Sequence, residues 1–273
     1  MDNGGMSRSD YLVTPTQLGD AQVLDVRWQL NELPGTGRAA YLAGHIPGAR
    51  FLSLEDVLTQ PSADKTLGRH PMPSSDHLST GLGELGLDPA DPIVVYDVPG
   101  TSASARAWWV LRWAGLDVRV LDGGWPGWLA SGGLPEAGPR AAAGTTVDVT
   151  TGHLPTIYAD AVAAWPGSLV DVRAGERYRG EVEPIDAKAG HIPGAVNRPV
   201  AALWDAQGAM PADEALRAYF GDLDDPLALY CGSGVSACQG VLALAVIGVE
   251  ATLYPPSWSG WSADPSHGVA TGS

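Results

Sequence analysis

The sequence predicts an α/β protein of two tandem domains, each a parallel sheet flanked by helices. Three observations carry that prediction. The chain repeats its own landmarks, each copy alternates short β-branched runs with helical stretches, and one segment rich in Gly, Ala, Thr and Pro separates the copies.

The repeat is read from four landmarks in the same order. VLDVR at 23–27 returns as LVDVR at 169–173, and AGHIPGAR at 43–50 returns as AGHIPGAV at 189–196. IVVYD at 93–97 matches LALYC at 227–231, and LDGGWPGW at 121–128 matches YPPSWSGW at 254–261. The first copy carries about twelve extra residues between its second and third landmarks. Within it VLDVR, IVVYD and VRVLD read as strands and ASARAWWVLRWAG as a helix; in the second copy LVDVR, LALYC and ATLYP take the strand places. EALRAYFG and ACQGVLALAVIG are its helices. Strand and helix in alternation give parallel pairing, because a parallel connection needs a crossover. The expected boundaries are a first domain over 10–135, a linker over 136–152 and a second domain over 153–273.

Composition narrows the function classes. The chain has 273 residues and two cysteines seven apart, which cannot staple a fold of this size, so free thiols in a reducing compartment are expected. MDNGGMSRSD has no apolar signal core and no apolar run nears the roughly 18 residues of a membrane span, so the expected location is cytoplasmic. A formal charge of −15 argues against nucleic acid as a partner and means that any anionic substrate needs local help from arginines and backbone N–H groups.

The chemically loaded stretch is LALYCGSGVSAC, 227–238. Cys231 ends a strand of a parallel sheet, where ligands bind. Gly232 and Gly234 let the backbone curl so that N–H groups from Gly232 through Ser233, Val235, Ser236 and Ala237 can point at one centre, just before a helix N-terminus. Such a cradle suits a thiolate nucleophile, or the persulfide it becomes after taking a sulfur atom. No arginine or lysine stands between Gly232 and Ala237, so a cysteine phosphatase would lack its charge clamp. Cys238 lies in the following helix and reads as a packed small hydrophobe; the spacing is poor for a metal site, and none is expected.

These motifs together resemble the tandem-domain rhodanese-like sulfurtransferases over roughly residues 10–265, and the CGSGVSA loop is most similar to the 3-mercaptopyruvate-using branch. The resemblance implies two rhodanese-like domains, with the second catalytic. The first holds Asp97 where the second holds Cys231, and a carboxylate cannot carry transferable sulfur. It implies transfer of sulfur from 3-mercaptopyruvate, with thiosulfate the alternative donor, through a Cys231 persulfide. Acceptors would be cyanide, a small thiol or a protein thiol such as thioredoxin, without cofactor, nucleic acid or membrane. A non-enzymatic docking or sulfur-relay module is the other class, and the intact loop favours the enzyme.

The resemblance also implies a hydroxyl–imidazole–carboxylate relay of Ser233, His70 and Glu55, and a substrate-binding Arg177. Relatives carry a second arginine nine residues after the first; here that place falls on Asp186, or on Ile185 when Glu183-Pro184 is aligned. Neither is basic, Lys188 is the nearby substitute, and an Asp186 facing the cleft would repel an anionic donor. His45 and His191, with Asp25, Arg27, Asp171 and Arg173, stand in both copies, one of which lacks the nucleophile. Duplication therefore assigns them to the fold, and the ten tryptophans to core and seam.

Overall fold

The computed structural model describes residues 6–204 and 208–273. Its first half holds strands β1 (Leu12–Val13), β2 (Gln22–Asp25), β3 (Arg50–Phe51), β4 (Ile93–Tyr96) and β5 (Val118–Leu121). Helices α1 (Thr36–Ala43), α2 (Ser75–Glu84), α3 (Ala103–Trp113) and α4 (Gly124–Ala130) connect or follow them. The second half holds β6 (Leu169–Asp171), β7 (Val196–Asn197), β8 (Leu227–Tyr230) and β9 (Ala251–Leu253). Its helices are α5 (Ala159–Ala163), α6 (Gly175–Tyr178), α7 (Asp213–Phe220), α8 (Ser236–Val246) and α9 (Ser257–Ala263).

Both sheets are parallel throughout, in the orders β1-β5-β4-β2-β3 and β7-β6-β8-β9. Read from β5 to β3 and from β9 to β7, the two orders are the same, as a duplicated chain requires. The extra edge strand β1 is reduced in the second half to one parallel bridge between Thr156 and Leu253. Central strands β4 and β8 are buried at every residue, which is why IVVY and LALY read as continuous apolar runs. No described helix is long and apolar enough to cross a membrane.

The two halves meet through α3 and α8, the matching helices of the two copies. Every residue from Ala103 to Leu111 is buried, so α3 is covered on all sides, by its own sheet and by α8. Apolar side chains of both halves, including Trp108, Trp109, Cys238 and Leu242, consequently form one continuous core. The linker is packed rather than free: Val147 and Val149 are buried, and the Thr145 N–H donates to the Gly83 carbonyl at 2.9 Å.

The duplicated motifs build the same polar ring twice. Asp25 accepts from Arg27 Nη2 at 2.6 Å and from the Tyr96 hydroxyl at 2.6 Å, and that hydroxyl accepts the Ile46 N–H at 3.1 Å. Arg27 Nη2 also donates to the Gly44 carbonyl at 2.6 Å, which pins the turn before His45. In the second copy Arg173 joins Asp171 to the Gly190 carbonyl with the same two 2.6 Å bonds, and Tyr230 accepts from Ile192 at 3.1 Å. His45 and His191 stack on Tyr41 and Tyr178, and each Nδ1 lies against the carbonyl of that tyrosine, at 2.9 and 2.7 Å. These rings lock the turn after α1 or α6 to the neighbouring strand ends. Replacing Asp25 with Ala leaves the buried Arg27 cation uncompensated, so a loss of about 3–5 kcal/mol is expected in denaturant unfolding. A loss below 1 kcal/mol would show that the ring does not hold the turn.

Candidate active site

Cys231 lies one residue beyond the C-terminal end of β8 and is 1% exposed, on the wall of a cavity of about 510 Å³ between the two halves. Trp28, Arg69 and Asp97 line it from the first half; Arg177, Trp204 and Cys231 line it from the second. Gly232, Ser233, Val235 and Ser236 are also in the lining, whereas Gly234 and Ala237 lie behind it. Gly234 still serves the sulfur: its N–H donates to Cys231 Sγ at 3.2 Å. Its φ of 78° is left-handed, and a Cβ would meet the Pro255 carbonyl oxygen at 2.4 Å, so only glycine fits there.

A second group at the sulfur comes from the last landmark of the repeat. The Ser257 hydroxyl accepts the Cys231 N–H at 3.1 Å, donates to the Tyr254 carbonyl at 3.0 Å and stands 3.9 Å from Sγ. Ser257 has φ 54°, an uncommon conformation for a residue with a Cβ; the matching Gly124 has φ 52°. Serine therefore accepts a backbone that favours glycine, and in doing so sets an oxygen beside the sulfur. The sequence signal was there, a serine where the other copy has glycine, but its meaning depends on the backbone angle.

Ser233 is met across the seam. Its hydroxyl lies 2.8 Å from His70 Nδ1, 163 residues away, and His70 Nε2 is 3.9 Å from Glu55 Oε1. The Trp28 indole N–H donates to the same Glu55 oxygen at 2.8 Å and its ring meets His70 edge-on. His70, in first place, and then the Trp28 N–H hold the Glu55 carboxyl below its ordinary range. His70 is buried, within the Pro-rich segment GRHPMP. Ser233 and His70 are thus in hydrogen-bond contact at the cavity, with the Glu55 carboxylate at ion-pair distance on the outer side of the imidazole.

Two guanidinium groups flank Gly232. A Cβ built there would lie 3.1 Å from Arg69 Nη2 and 3.4 Å from Arg177 Nη1. The expectation of a single arginine facing a repulsive Asp186 is thereby corrected. Asp186 is paired, with Arg69 across the seam and with Arg177 at 3.3 Å; Glu183 accepts from Arg177 at 2.6 Å. The second cation comes from the other domain, adjacent in sequence to His70, while Lys188 is turned away to the Asp264 carbonyl at 2.9 Å.

Comparison with known proteins gives this geometry a lineage. A family model described as the rhodanese-like domain matches residues 9–131 and again 155–264. The chain belongs to the rhodanese-like family. A Mycobacterium tuberculosis protein described as a thiosulfate sulfurtransferase is 44% identical over 97% of this chain and 99% of its own. A Pseudomonas aeruginosa protein described as a 3-mercaptopyruvate sulfurtransferase is 38% identical over the same shares. The crystal structure of SseA from Escherichia coli, a 3-mercaptopyruvate sulfotransferase, superposes with a TM-score of 0.75 at 28% identity, covering 91% of this chain and 99% of that one.

The rhodanese-like loop of the first half keeps its shape and holds an anion of its own. Asp97 Oδ2 accepts from the Thr101 hydroxyl at 2.6 Å and the Ser104 N–H at 2.9 Å, where the second loop donates to a sulfur. Burial outweighs those bonds and raises the carboxyl to about 6. The folded state thus binds this proton more tightly than the unfolded chain, whose value is 3.8, so stability falls as pH rises from about 4 to 6 and stays reduced above. Asp97→Asn keeps an oxygen for both donors and removes the cost. It should stabilise the protein at neutral pH by about 1–3 kcal/mol and flatten that acid slope in thermal melts. An unchanged slope would place the titration elsewhere.

Proposed function

We propose that the protein is a sulfurtransferase in which Cys231 accepts a sulfur atom from 3-mercaptopyruvate and passes it on as a persulfide. The observation that carries this reading is a cysteine at the cavity wall with two guanidinium groups and a serine–histidine pair converging on its loop. Arg69 and Arg177 hold the substrate carboxylate, and the Cys231 thiolate attacks the substrate sulfur. The S–S bond forms as the C–S bond breaks, and the bonding pair enters the enolate of pyruvate. The enolate takes up the proton that the substrate thiol carried, moved along Ser233 and His70, and pyruvate leaves. Cyanide, a small thiolate or a protein thiolate then attacks the outer sulfur, and the S–S electron pair returns to Cys231. Thioredoxin is one such protein acceptor by its chemistry.

One observation favours a second donor. The Arg69 and Arg177 pair beside Gly232 supplies the cationic clamp that the uncharged loop lacks, and a thiosulfate dianion fits it. The ratio of kcat/KM for 3-mercaptopyruvate and thiosulfate decides between them.

Cys231→Ser should abolish thiocyanate formation from either donor and the mass gain of one sulfur atom. Cys238→Ser should keep most activity, since burial raises that thiol to about 12 and leaves it neutral. Equal loss in both variants would indicate a dithiol mechanism instead. Arg69→Ala and Arg177→Ala each remove a charge-assisted hydrogen bond, so each should raise KM for the donor by about tenfold to a hundredfold in steady-state assays. An unchanged KM for Arg69→Ala would remove the first domain from donor binding.

A further inference from the structure

Arg106 is the one ionised side chain buried inside α3, and it is 0% exposed. A guanidinium sealed from water requires a partner charge or a full set of hydrogen bonds. Arg106 has only part of that set. Its Nη1 donates to the Gly234 carbonyl at 3.1 Å, and its Nη2 to the carbonyls of Leu58 and His70, both at 3.2 Å. Its Nε is buried with no acceptor, and among the described residues no carboxylate pairs with it. Burial lowers its pKa; the groups that pull it back up are Cys238 and then Cys231, with no acid among them.

Cys238 cannot be the missing anion. Burial raises its pKa to about 12, and its S–H is committed to the Gly234 carbonyl at 3.2 Å. That leaves the sulfur of Cys231, whose loop Arg106 touches at Gly234, the residue whose N–H donates to Sγ. The same guanidinium holds the backbone of His70, whose ring meets Ser233. By the offset that matches Asp97 to Cys231, the place of Arg106 in the second copy is Gly240. The ring residues are kept in both copies because each domain needs them; Arg106 is present in one, so the fold of a single domain does not require it.

We propose that Arg106, carried by the domain without the nucleophile, is the buried counter-ion of the anionic Cys231 sulfur and the positioning residue that clamps its loop to His70. The inference rests on the sulfurtransferase reading for the persulfide, but the thiolate can be tested without any donor. It gives the first domain a task beyond lining the cavity: its cation reaches the Gly234 carbonyl of the Cys231 loop only when the two halves are docked.

The test compares Arg106→Met, which removes the charge at similar length, with Arg106→Lys, which keeps the charge and loses the planar fork. Alkylation of Cys231 by iodoacetamide at neutral pH, followed by peptide mass analysis, reads the thiolate alone. Steady-state assays with 3-mercaptopyruvate and cyanide read kcat and KM. In Arg106→Met, alkylation of Cys231 should slow by about tenfold or more and kcat fall by about a hundredfold, with KM changed far less. In Arg106→Lys, alkylation should return to within about threefold of wild type, while kcat stays at least about tenfold down. A folded Arg106→Met protein with wild-type alkylation overturns the counter-ion role. Should Arg106→Met not fold, Arg106→Lys decides: alkylation slowed tenfold overturns the charge role, and wild-type kcat overturns the positioning role. A wild type that alkylates rapidly at Cys231 yet gains no sulfur would instead defeat the sulfurtransferase reading and leave the Arg106 result standing.

Discussion

The packing of α3 against α8 is the constraint on which the rest of the site depends. Neither helix could face water: α3 is buried from Ala103 to Leu111, and α8 is buried at eight of its eleven residues. Burying the two apolar helices on each other merges two half-cores into one, and the hydrophobic gain is spread over many side chains. The docking has a chemical consequence. It carries His70 to 2.8 Å from Ser233 and sets Arg69 and Arg177 on either side of Gly232, so the site exists only in the docked pair.

Duplication followed by divergence separates scaffold from chemistry in this molecule. The Asp–Arg–Tyr ring survives in both halves because removing one member strands a buried charge or hydroxyl. Where the rings do not reach, the copies differ: Asp97 against Cys231, Gly124 against Ser257, Arg106 against Gly240. The first loop is still an anion-binding loop. Its anion is the Asp97 carboxylate, and Gly100 keeps φ 81° where Gly234 has 78°. A fixed carboxylate and a transient sulfur anion are thus held by one backbone shape, with the second copy adding the hydroxyl of Ser257.

The charge distribution runs against the global sign. With a formal charge of −15, the surface repels anions, yet the cavity presents arginines from both domains at one point. Buried Glu183 and Asp186 keep those guanidinium groups oriented and offset their mutual repulsion. An anionic donor therefore meets pre-oriented donors whose alignment was established on folding. The Asp186 carboxylate, an acid where the resemblance implies a base, acts by holding Arg69 from the other domain in place.

Much of this was legible in the letters. The repeat, the parallel order of its strands and the cysteine at a strand end follow from features that sit within a few residues of each other: apolar runs, glycine punctuation, and spacing between matched landmarks. Local sequence dictates local backbone, and two similar segments fold alike. Strands β1, β3 and β7 escaped that reading, being two residues long and too short to show a pattern. The partnership of Asp186 with Arg69, 117 residues apart, and the approach of Arg106 to Gly234, 128 residues apart, had no trace in the sequence. Those contacts were decided by how two finished domains dock, because a charge buried at a seam answers to whatever the opposite surface presents, and that surface is assembled from distant parts of the chain.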